Sequence, residues 1–556
     1  MSDHYPSKKQ FNVQLFDILK PEGGFYKAVI IYSIAISLLT LAVPISLQLL
    51  VDTVANIALI RAVVLISILL FALLFLSSLM YALRAYAMEL FTRKFYSRIS
   101  SEIAMTAMLA EPDYFEEHHK TDLFNRYFDI LTIKKSIPSI LTNGFTLVLQ
   151  SLIGFAVVSF YHFYFFIFCL ILGLLIWLIW KIWGWAAINT GFRLSDAKYK
   201  TAAWLQSLSI NVDAYRNSLN PSYVMSETDR LIEDHISCQQ DHFRNTYSQL
   251  ISFLLLYSLA SAVLLGMGGW LVITGELTLG QLVAAELIMS AIFVGLPQMA
   301  GYLDSFFDVC ASVEELSRFK EVKTEATRKG KFQCIPENNS IEFSNVRLLR
   351  QEQESRFNFV LPASSVIQVV GDTVSFRWLA EMLRANIKPN SGLITIDAVD
   401  NTDIDLTSLR QSVRIIDRVT FLPLTVKDYL GLFIPENSVL SRLQALTLMR
   451  LDEDIARLKL GYETLLSRGA WPLTQPQAIR LKLASALLSR PPILVLGDIV
   501  DTVDPDVLEE FVAAMRDGNT TIIYYTRRQD VTCFDYQLKL QATQQTLTTI
   551  DKGGLA

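Results

Sequence analysis

The residues best suited to chemistry are arginines and aspartates in the carboxy-terminal third of the chain, most of them near the ends of strand-like segments. They are Arg377, Arg418, Arg468, Arg527, Asp372, Asp417 and Asp498. Opposite charges at neighbouring positions can form ion pairs, and clustered arginines can instead bind an anion. The mixture of signs favours ion pairs, which predicts charged segments held together without a ligand. Anion binding is the alternative.

A further candidate is Glu286, which lies within an apolar segment long enough to cross a membrane. In a helix it would lie roughly 14 Å from the start of that segment. Carboxylates inside a membrane are unfavourable and usually face a cavity or a partner, so Glu286 is a candidate intramembrane polar site. The competing interpretation is that the span begins later and that Glu286 lies at the membrane interface.

The composition predicts a membrane part joined to a soluble part. The 556 residues are 52% hydrophobic, with a mean hydropathy of +0.34, which is too apolar for an ordinary soluble protein. The net charge is −5 and no Lys/Arg-rich run stands out, which argues against a nucleic-acid partner. The five cysteines are scattered without a CxxC pair, so we expect neither a disulfide framework nor a metal site.

Apolar stretches predict six membrane-spanning helices, because a helix needs about 20 apolar residues to cross the hydrocarbon core. The stretches are Ala28–Val51, Ala62–Leu83, two within Ser136–Trp180 with a turn at Tyr161–Tyr164, Asn245–Gly275 and Leu277–Leu303. Lys and Arg are concentrated before the first stretch and in 84–135 and 181–244, so we expect both termini and these segments to be cytoplasmic. The two long segments are predicted to continue the membrane helices into the cytoplasm.

Strand-like and helix-like patterns alternate from residue 340 onward, which predicts an α/β domain with a largely parallel sheet. The strand-like segments are 341–346, 365–371, 393–397, 413–417, 493–498 and 520–526. The preceding stretch, 313–339, is charged and then irregular, as expected for a helix end followed by a linker. The predicted organisation is therefore a cytoplasmic segment (1–24), a membrane domain (25–312), a linker (313–339) and an α/β domain (340–556).

This organisation resembles a half-transporter of the ABC exporter family, closest to the type I secretion and bacteriocin exporters. Short segments that resemble exporter sequences occur in the family's order: Gly275–Leu282 before the sixth helix, Ser408–Arg410, Gly461–Thr464 and Ala484–Leu496. The resemblance implies a membrane domain of six transmembrane helices of the ABC exporter type 1, followed by an α/β ABC nucleotide-binding domain.

The positions that match the family's ATP-binding motifs depart from them. In the phosphate-binding loop, or Walker A motif, Gly371 is kept, whereas Val374 and Phe376 replace glycines, Arg377 replaces the lysine and Trp378 replaces the hydroxyl that binds Mg²⁺. Arg418 stands at the Q-loop glutamine and Arg527 at the switch histidine. Gly497 and Asp498 stand where the Walker B motif has Asp-Glu. These departures predict that the chain has no functional MgATP site, and we expect no cofactor.

The signature motif departs in the same way. Leu473, Thr474, Gln475, Pro476 and Gln477 stand where the family has LSGGQ. In the family this motif presents backbone N–H groups to ATP held by the opposite subunit. Proline has no N–H, and Gln475 adds bulk where glycine permits close approach. Asp504 of the D-loop is kept, which indicates that the scaffold persists where the ATP chemistry is lost.

The resemblance and its departures predict a non-catalytic, ATPase-deficient half of an ABC exporter in the bacterial inner membrane. It would pair with an intact ABC subunit and export a peptide, protein or toxin, together with a periplasmic adaptor and an outer-membrane channel. A homodimeric, ATP-independent pseudo-transporter that acts as a scaffold, adaptor or regulator is the alternative. A second alternative is an ordinary ATP-driven exporter.

Overall fold

A computed structural model describes residues 8–56, 60–111, 114, 120–217, 222–325, 330–332, 339–350, 353–435 and 440–550. The chain divides into two compact units, residues 1–325 (unit 1) and 326–556 (unit 2). Parts of the predicted cytoplasmic segment and of the predicted linker lie outside the described residues.

Unit 1 is helical where it is described. Its helices are α1 (Lys8–Leu19), α2 (Gly23–Thr40), α3 (Ala42–Asn56), α4 (Ile60–Leu109), α5 (Asp129–Ser139), α6 (Phe145–Ser159), α7 (Phe163–Ile210), α8 (Val212–Arg216), α9 (Ser222–Ile273) and α10 (Leu279–Ser317). A 3-10 stretch, Lys120–Phe128, precedes α5, and a π-helical turn, Ile140–Gly144, joins α5 to α6.

Six helical stretches in the described residues are long and apolar enough to cross a membrane. They are Val13–Thr53, Ile60–Leu109, Leu123–Ser159, Phe163–Ile210, Ser222–Ile273 and Leu279–Glu321. The six predicted spans are thereby confirmed. The helices α4, α7 and α9 are 50, 48 and 52 residues long, so the polar segments continue the membrane helices as predicted. The side of the membrane on which they lie stays a prediction.

The structure places two helix boundaries of unit 1, and one of them differs from the prediction. Helix α7 begins at Phe163, inside the predicted turn, because the imidazole of His162 accepts a hydrogen bond from the Tyr164 N–H at 3.3 Å and so caps the helix. Helix α10 continues to Ser317, so the first residues of 313–339 form a helix end. Arg318, directly after the helix, contacts Asp196 at 3.0 Å and Glu314 of the helix at 3.1 Å.

Unit 2 contains ten strands in its described residues. They are β1 (Ile341–Arg350), β2 (Gln353–Leu361), β3 (Val366–Gly371), β4 (Ser391–Ile396), β5 (Val399–Asp400), β6 (Val413–Ile416), β7 (Ile493–Leu496), β8 (Thr521–Tyr525), β9 (Tyr536–Leu540) and β10 (Gln545–Thr549). A six-stranded sheet has the order β10-β9-β3-β8-β7-β6, and all its pairs are parallel except β9–β10.

The prediction of one largely parallel sheet is incomplete. Strands β1 and β4 lie with β2 and β5 in a second sheet, of order β2-β1-β4-β5, whose pairs are all antiparallel. Buried and exposed residues alternate along β1, whereas β7 and β8 are buried throughout. A strand with one solvated face suits an antiparallel sheet, and strands buried on both faces suit the centre of a parallel one.

The helices in the described part of unit 2 lie between its strands along the chain. They are α11 (Thr373–Leu383), α12 (Leu406–Ser412), α13 (Val426–Gly431), α14 (Arg442–Leu448), α15 (Asp452–Ala456), α16 (Gln475–Ser489) and α17 (Pro505–Arg516). Side chains from β3, β7, β8 and α11 share one buried apolar core. Helix α11 is therefore held firmly against the sheet.

Candidate functional site

The sheet brings four of the predicted site segments to one edge. Strands β3, β8, β7 and β6 are parallel neighbours, so the residues that follow them lie at the same edge. Gly371 ends β3, Arg418 follows β6, Gly497 follows β7 and Arg527 follows β8. This edge, at the carboxyl ends of the strands, is where open α/β sheets bind ligands.

The connection between β3 and α11 is a single residue. Strand β3 ends at Gly371, Asp372 follows, and α11 begins at Thr373. Gly371 has φ of +139°, and a side chain there would collide with the carbonyl oxygen of Leu540 on β9. The same carbonyl accepts the Asp372 N–H at 2.9 Å. The glycine is thus required by the neighbouring strand, and no longer loop of backbone N–H groups wraps around a phosphate site at this point.

The amino-terminal end of α11 is capped by the chain's own carboxylate. Asp372 accepts hydrogen bonds from the N–H of Ser375 at 2.9 Å, from the hydroxyl of Ser375 at 2.6 Å and from the N–H of Val374 at 3.4 Å. Partial burial alone would raise the pKa of Asp372, but the hydrogen bonds from Ser375 and Val374 hold it below its usual range. A negative charge therefore already lies at the helix end that could otherwise receive an anion.

Two aromatic rings fill the space beside this helix end. Phe376 and Tyr525 stack with ring centroids 4.7 Å apart, and they are only 4% and 2% exposed. The Tyr525 hydroxyl donates to the Gly371 carbonyl at 2.9 Å and lies 2.8 Å from the Thr373 hydroxyl. Tyr525 is not among the site residues predicted from the sequence, although its place in the buried run of β8 was a usable signal. These contacts join the start of α11 directly to the end of β8.

The remaining Walker A residues lie on different faces of α11. Val374 and Arg377 are exposed, whereas Trp378 is half-buried and packs against the core shared by α11 and the sheet. The indole thus contributes to packing at the position where the family has a magnesium-binding hydroxyl.

After β6, an arginine and an aspartate form a long, exposed ion pair. The Arg418 guanidinium lies 3.8 Å from the Asp417 carboxylate, and both side chains are largely accessible. This is the one pairing suggested by the sequence that the structure places within ion-pair distance among the contacts described for these residues. The Lys482 ammonium donates to the Arg418 carbonyl at 2.6 Å, and burial lowers the pKa of Lys482 to about 8. This contact is exposed, and the choice between ion pairs and anion binding stays a prediction.

At the Walker B position, Gly497 packs against the neighbouring strand. Its N–H donates to the Ile416 carbonyl at 2.9 Å, and a Cβ at this position would lie 3.1 Å from Asp417. Asp498 is exposed and begins the 3-10 turn Asp498–Thr502. A side chain at 497, such as the family's aspartate, would therefore require Asp417 to shift by a few tenths of an ångström.

Residues 27–190 match the ABC transporter transmembrane region. The structure superposes on that of a bacterial Atm1-family ABC exporter with ATP bound, with a TM-score of 0.80 and 19% identity, covering 97% of this chain and 98% of the other. The chain has the ABC exporter fold.

Curated relatives match the chain in part. The alpha-hemolysin translocation ATP-binding protein HlyB of Escherichia coli O157:H7 is 28% identical over 247 residues, 43% of this chain and 35% of HlyB. The exotoxin translocation ATP-binding protein PaxB of Pasteurella aerogenes is 25% identical over 277 residues, 48% of this chain and 39% of PaxB. YknU of Bacillus subtilis, an uncharacterized ABC transporter ATP-binding protein, is 26% identical over 275 residues, 47% and 46% of the two chains. The chain thus spans less than half the length of these relatives.

In this exporter fold, the signature position begins α16. Leu473 is buried in the core, Thr474 is the residue before the helix, and Pro476 lies in the first turn. The Gln477 side-chain oxygen accepts hydrogen bonds from the N–H and the hydroxyl of Thr474, both at 2.9 Å. Gln475 is exposed. The helix end therefore lacks the N–H at 476, and its threonine hydroxyl is already bonded within the chain.

Hydrogen bonds join the D-loop segment to the switch segment. The Asp501 carboxylate accepts hydrogen bonds from the hydroxyls of Tyr524, at 2.5 Å, and Thr526, at 2.7 Å. Arg528 donates to the carbonyls of Asp501 and Val503, both at 2.7 Å. Asp504 and Arg527, the residues predicted in these segments, are both exposed. The internal contacts could not be predicted from the sequence, because they depend on the pairing of β7 with β8.

Glu286 lies in α10, among the apolar residues of unit 1. Its side chain is half-buried, and one carboxylate oxygen accepts a hydrogen bond from the Ser290 hydroxyl at 3.3 Å. The other oxygen is buried and has no hydrogen-bond partner within the described part of the chain. Both interpretations of Glu286 made from the sequence stay open.

Proposed function

We propose that this chain is an ATPase-deficient half of an ABC exporter that works with an intact ABC subunit. The observation that carries the proposal is the one-residue connection between β3 and α11. A phosphate-binding loop needs several successive backbone N–H groups that point at the phosphates. Here only Asp372 separates strand from helix, and its carboxylate accepts the N–H groups at the helix end.

The triphosphate would also meet charge and bulk at this position. The Asp372 carboxylate repels phosphate, because like charges a few ångströms apart are unfavourable. The ring of Phe376 is packed on Tyr525 and leaves no open cradle beside the helix. Both features support the loss of ordinary MgATP binding by this chain.

Hydrolysis would lack its principal groups as well. Gly497 supplies no carboxylate, and Asp498 is shorter than the family's glutamate, so a water molecule would be held at a different distance. Misplacement by about 1 Å can reduce a rate about 10²-fold. Arg527 cannot replace a histidine that accepts a hydrogen bond. The chain would therefore contribute its membrane helices and its scaffold, and the partner would contribute the ATPase.

The export substrate is proposed from the relatives. HlyB and PaxB are named for translocation of a hemolysin and an exotoxin, which supports a peptide, protein or toxin as cargo. Six apolar helices support a place in the bilayer, and we propose the bacterial inner membrane with both termini cytoplasmic. A periplasmic adaptor and an outer-membrane channel are proposed as further partners.

A second candidate is a homodimeric scaffold or regulator that does not use ATP. The start of α16 favours it, because Pro476 lacks an N–H and Thr474 is bonded to Gln477. In a heterodimer, the intact subunit's ATP would face this impaired helix end. The stoichiometry of the complex distinguishes the two candidates.

Calorimetry and assembly test the proposal. Titration of the purified full chain with MgATP should give no heat of binding, and micromolar affinity would favour an ordinary exporter instead.

Native mass spectrometry of the endogenously tagged chain should show a one-to-one complex with an intact ABC subunit. ATPase activity of that complex should disappear when the partner's Walker B glutamate is changed to glutamine, and should persist with Asp498→Asn here. A homodimer without a second ABC chain would favour the scaffold.

A further inference from the structure

A basic pocket lies in unit 1 between α4 and α5. Its volume is about 470 Å³, and its lining includes Arg84, Lys134 and Lys135 together with Tyr81, Glu89 and Pro138. Glu89 forms an exposed ion pair with Arg93 at 2.9 Å, so its charge is already compensated from outside the lining. Three cations and one carboxylate leave the pocket positive overall.

Arg84 forms the buried wall of the pocket. It is 2% exposed, and its guanidinium donates to the hydroxyls of Thr146, at 2.6 Å, and Ser33, at 3.1 Å. It also stacks 5.0 Å from the centre of the Tyr81 ring. In the described residues no carboxylate lies within ion-pair distance of it. Hydroxyls and a ring satisfy some of its donors but do not neutralise its charge, and a buried cation strongly favours a counter-anion.

The position of the pocket indicates where that anion comes from. Arg84 directly follows the apolar stretch that ends at Leu83, and Lys134 and Lys135 directly precede the one that begins at Ser136. The three cations thus lie where two membrane helices leave the hydrocarbon, which is the depth of lipid phosphates. The exposed rims contain Tyr81 and Leu131, which suit the glycerol and first acyl carbons of a lipid.

We propose that this pocket binds a phosphate-bearing anion, carried by the headgroup of an anionic phospholipid. Arg84 binds the phosphate oxygens from the buried side, and Lys134 and Lys135 bind from the accessible side. The bound lipid fastens α4 to α5 at the membrane edge. This inference does not depend on the proposed function, because it concerns unit 1 alone.

Titration by native mass spectrometry tests the proposal with the full chain in detergent. Phosphatidylglycerol should bind more tightly than phosphatidylcholine with the same acyl chains. Each lysine near a membrane surface contributes about five-fold in affinity for an anionic lipid, so Lys134→Gln with Lys135→Gln should weaken phosphatidylglycerol binding roughly 30-fold. Lys181→Gln, an exposed lysine at the end of another apolar stretch, is the matched control and should leave the affinity unchanged.

Further measurements distinguish a lipid headgroup from free phosphate as the ligand. Arg84→Gln should abolish phosphatidylglycerol binding, and the exposed-lysine variants keep the test decisive if that buried change impairs folding. Inorganic phosphate that binds with the same dependence on these residues, while phosphatidylglycerol does not, would assign the site to the free anion. Two results would overturn the proposal if inorganic phosphate also fails to bind. One is equal affinity for phosphatidylglycerol and phosphatidylcholine, and the other is an equal loss of affinity in the Lys134/Lys135 variant and in the Lys181 variant.

Discussion

Replacing Phe376 by alanine tests whether the start of α11 is packed as the structure shows. The ring is 4% exposed and stacks on Tyr525 at 4.7 Å, so its removal leaves a cavity inside the core of unit 2. Buried Phe→Ala changes lower the free energy of unfolding by about 3–5 kcal/mol. Hydrogen exchange of peptides from β3 and β8, measured by mass spectrometry in the full chain, reports that free energy locally. The expected exchange is roughly 150- to 5,000-fold faster.

The matched control is Val374→Ala, in the same turn of α11. Val374 is 40% exposed, and an exposed substitution changes stability by about 0.5 kcal/mol or less. If Phe376→Ala altered exchange no more than this control, the ring would not fill the space beside Gly371. Packing of Phe376 on Tyr525 would then not close the nucleotide position, whatever the ATP titration showed.

Three other predictions concern charged groups of unit 2. Asp372→Ala should lower the free energy of unfolding by about 1 kcal/mol at pH 7, and the difference from wild type should shrink below about pH 4, because the depressed pKa makes this contribution disappear as the carboxylate is protonated. Denaturant titrations across pH measure this. Burial lowers the pKa of Lys482 in the folded chain to about 8, whereas its pKa in the unfolded chain is about 10.4. Between these pH values the unfolded chain binds more protons than the folded chain, so the free energy of unfolding should rise with pH. The variant Lys482→Met should lack this rise. Arg418→Ala should lower the free energy of unfolding by about 1 kcal/mol or less, since its contact with Asp417 is exposed, and a loss of about 3 kcal/mol would indicate a buried lock instead.

The membrane helices and the buried strands could be predicted from the local pattern of apolar residues. Long apolar stretches predict membrane helices because each residue removed from water adds independently to the same preference, and all six were found. The buried strands β3, β7 and β8 were likewise visible as short apolar runs. The antiparallel sheet was missed because pairing depends on which strands meet, and a single run of residues does not specify its neighbour.

The candidate site divides in the same way. The sequence by itself determined which residue types occupy the motif positions, including Arg377, Gly497 and Pro476, because those are properties of single positions in an ordered series. The tertiary structure alone decided what these positions contact. Thr373 and Tyr525 are 152 residues apart, and Arg84 and Thr146 are 62 apart, yet each pair is within hydrogen-bond distance. Such contacts depend on strand register and helix packing, in which many weak interactions act together over distances that no local pattern encodes.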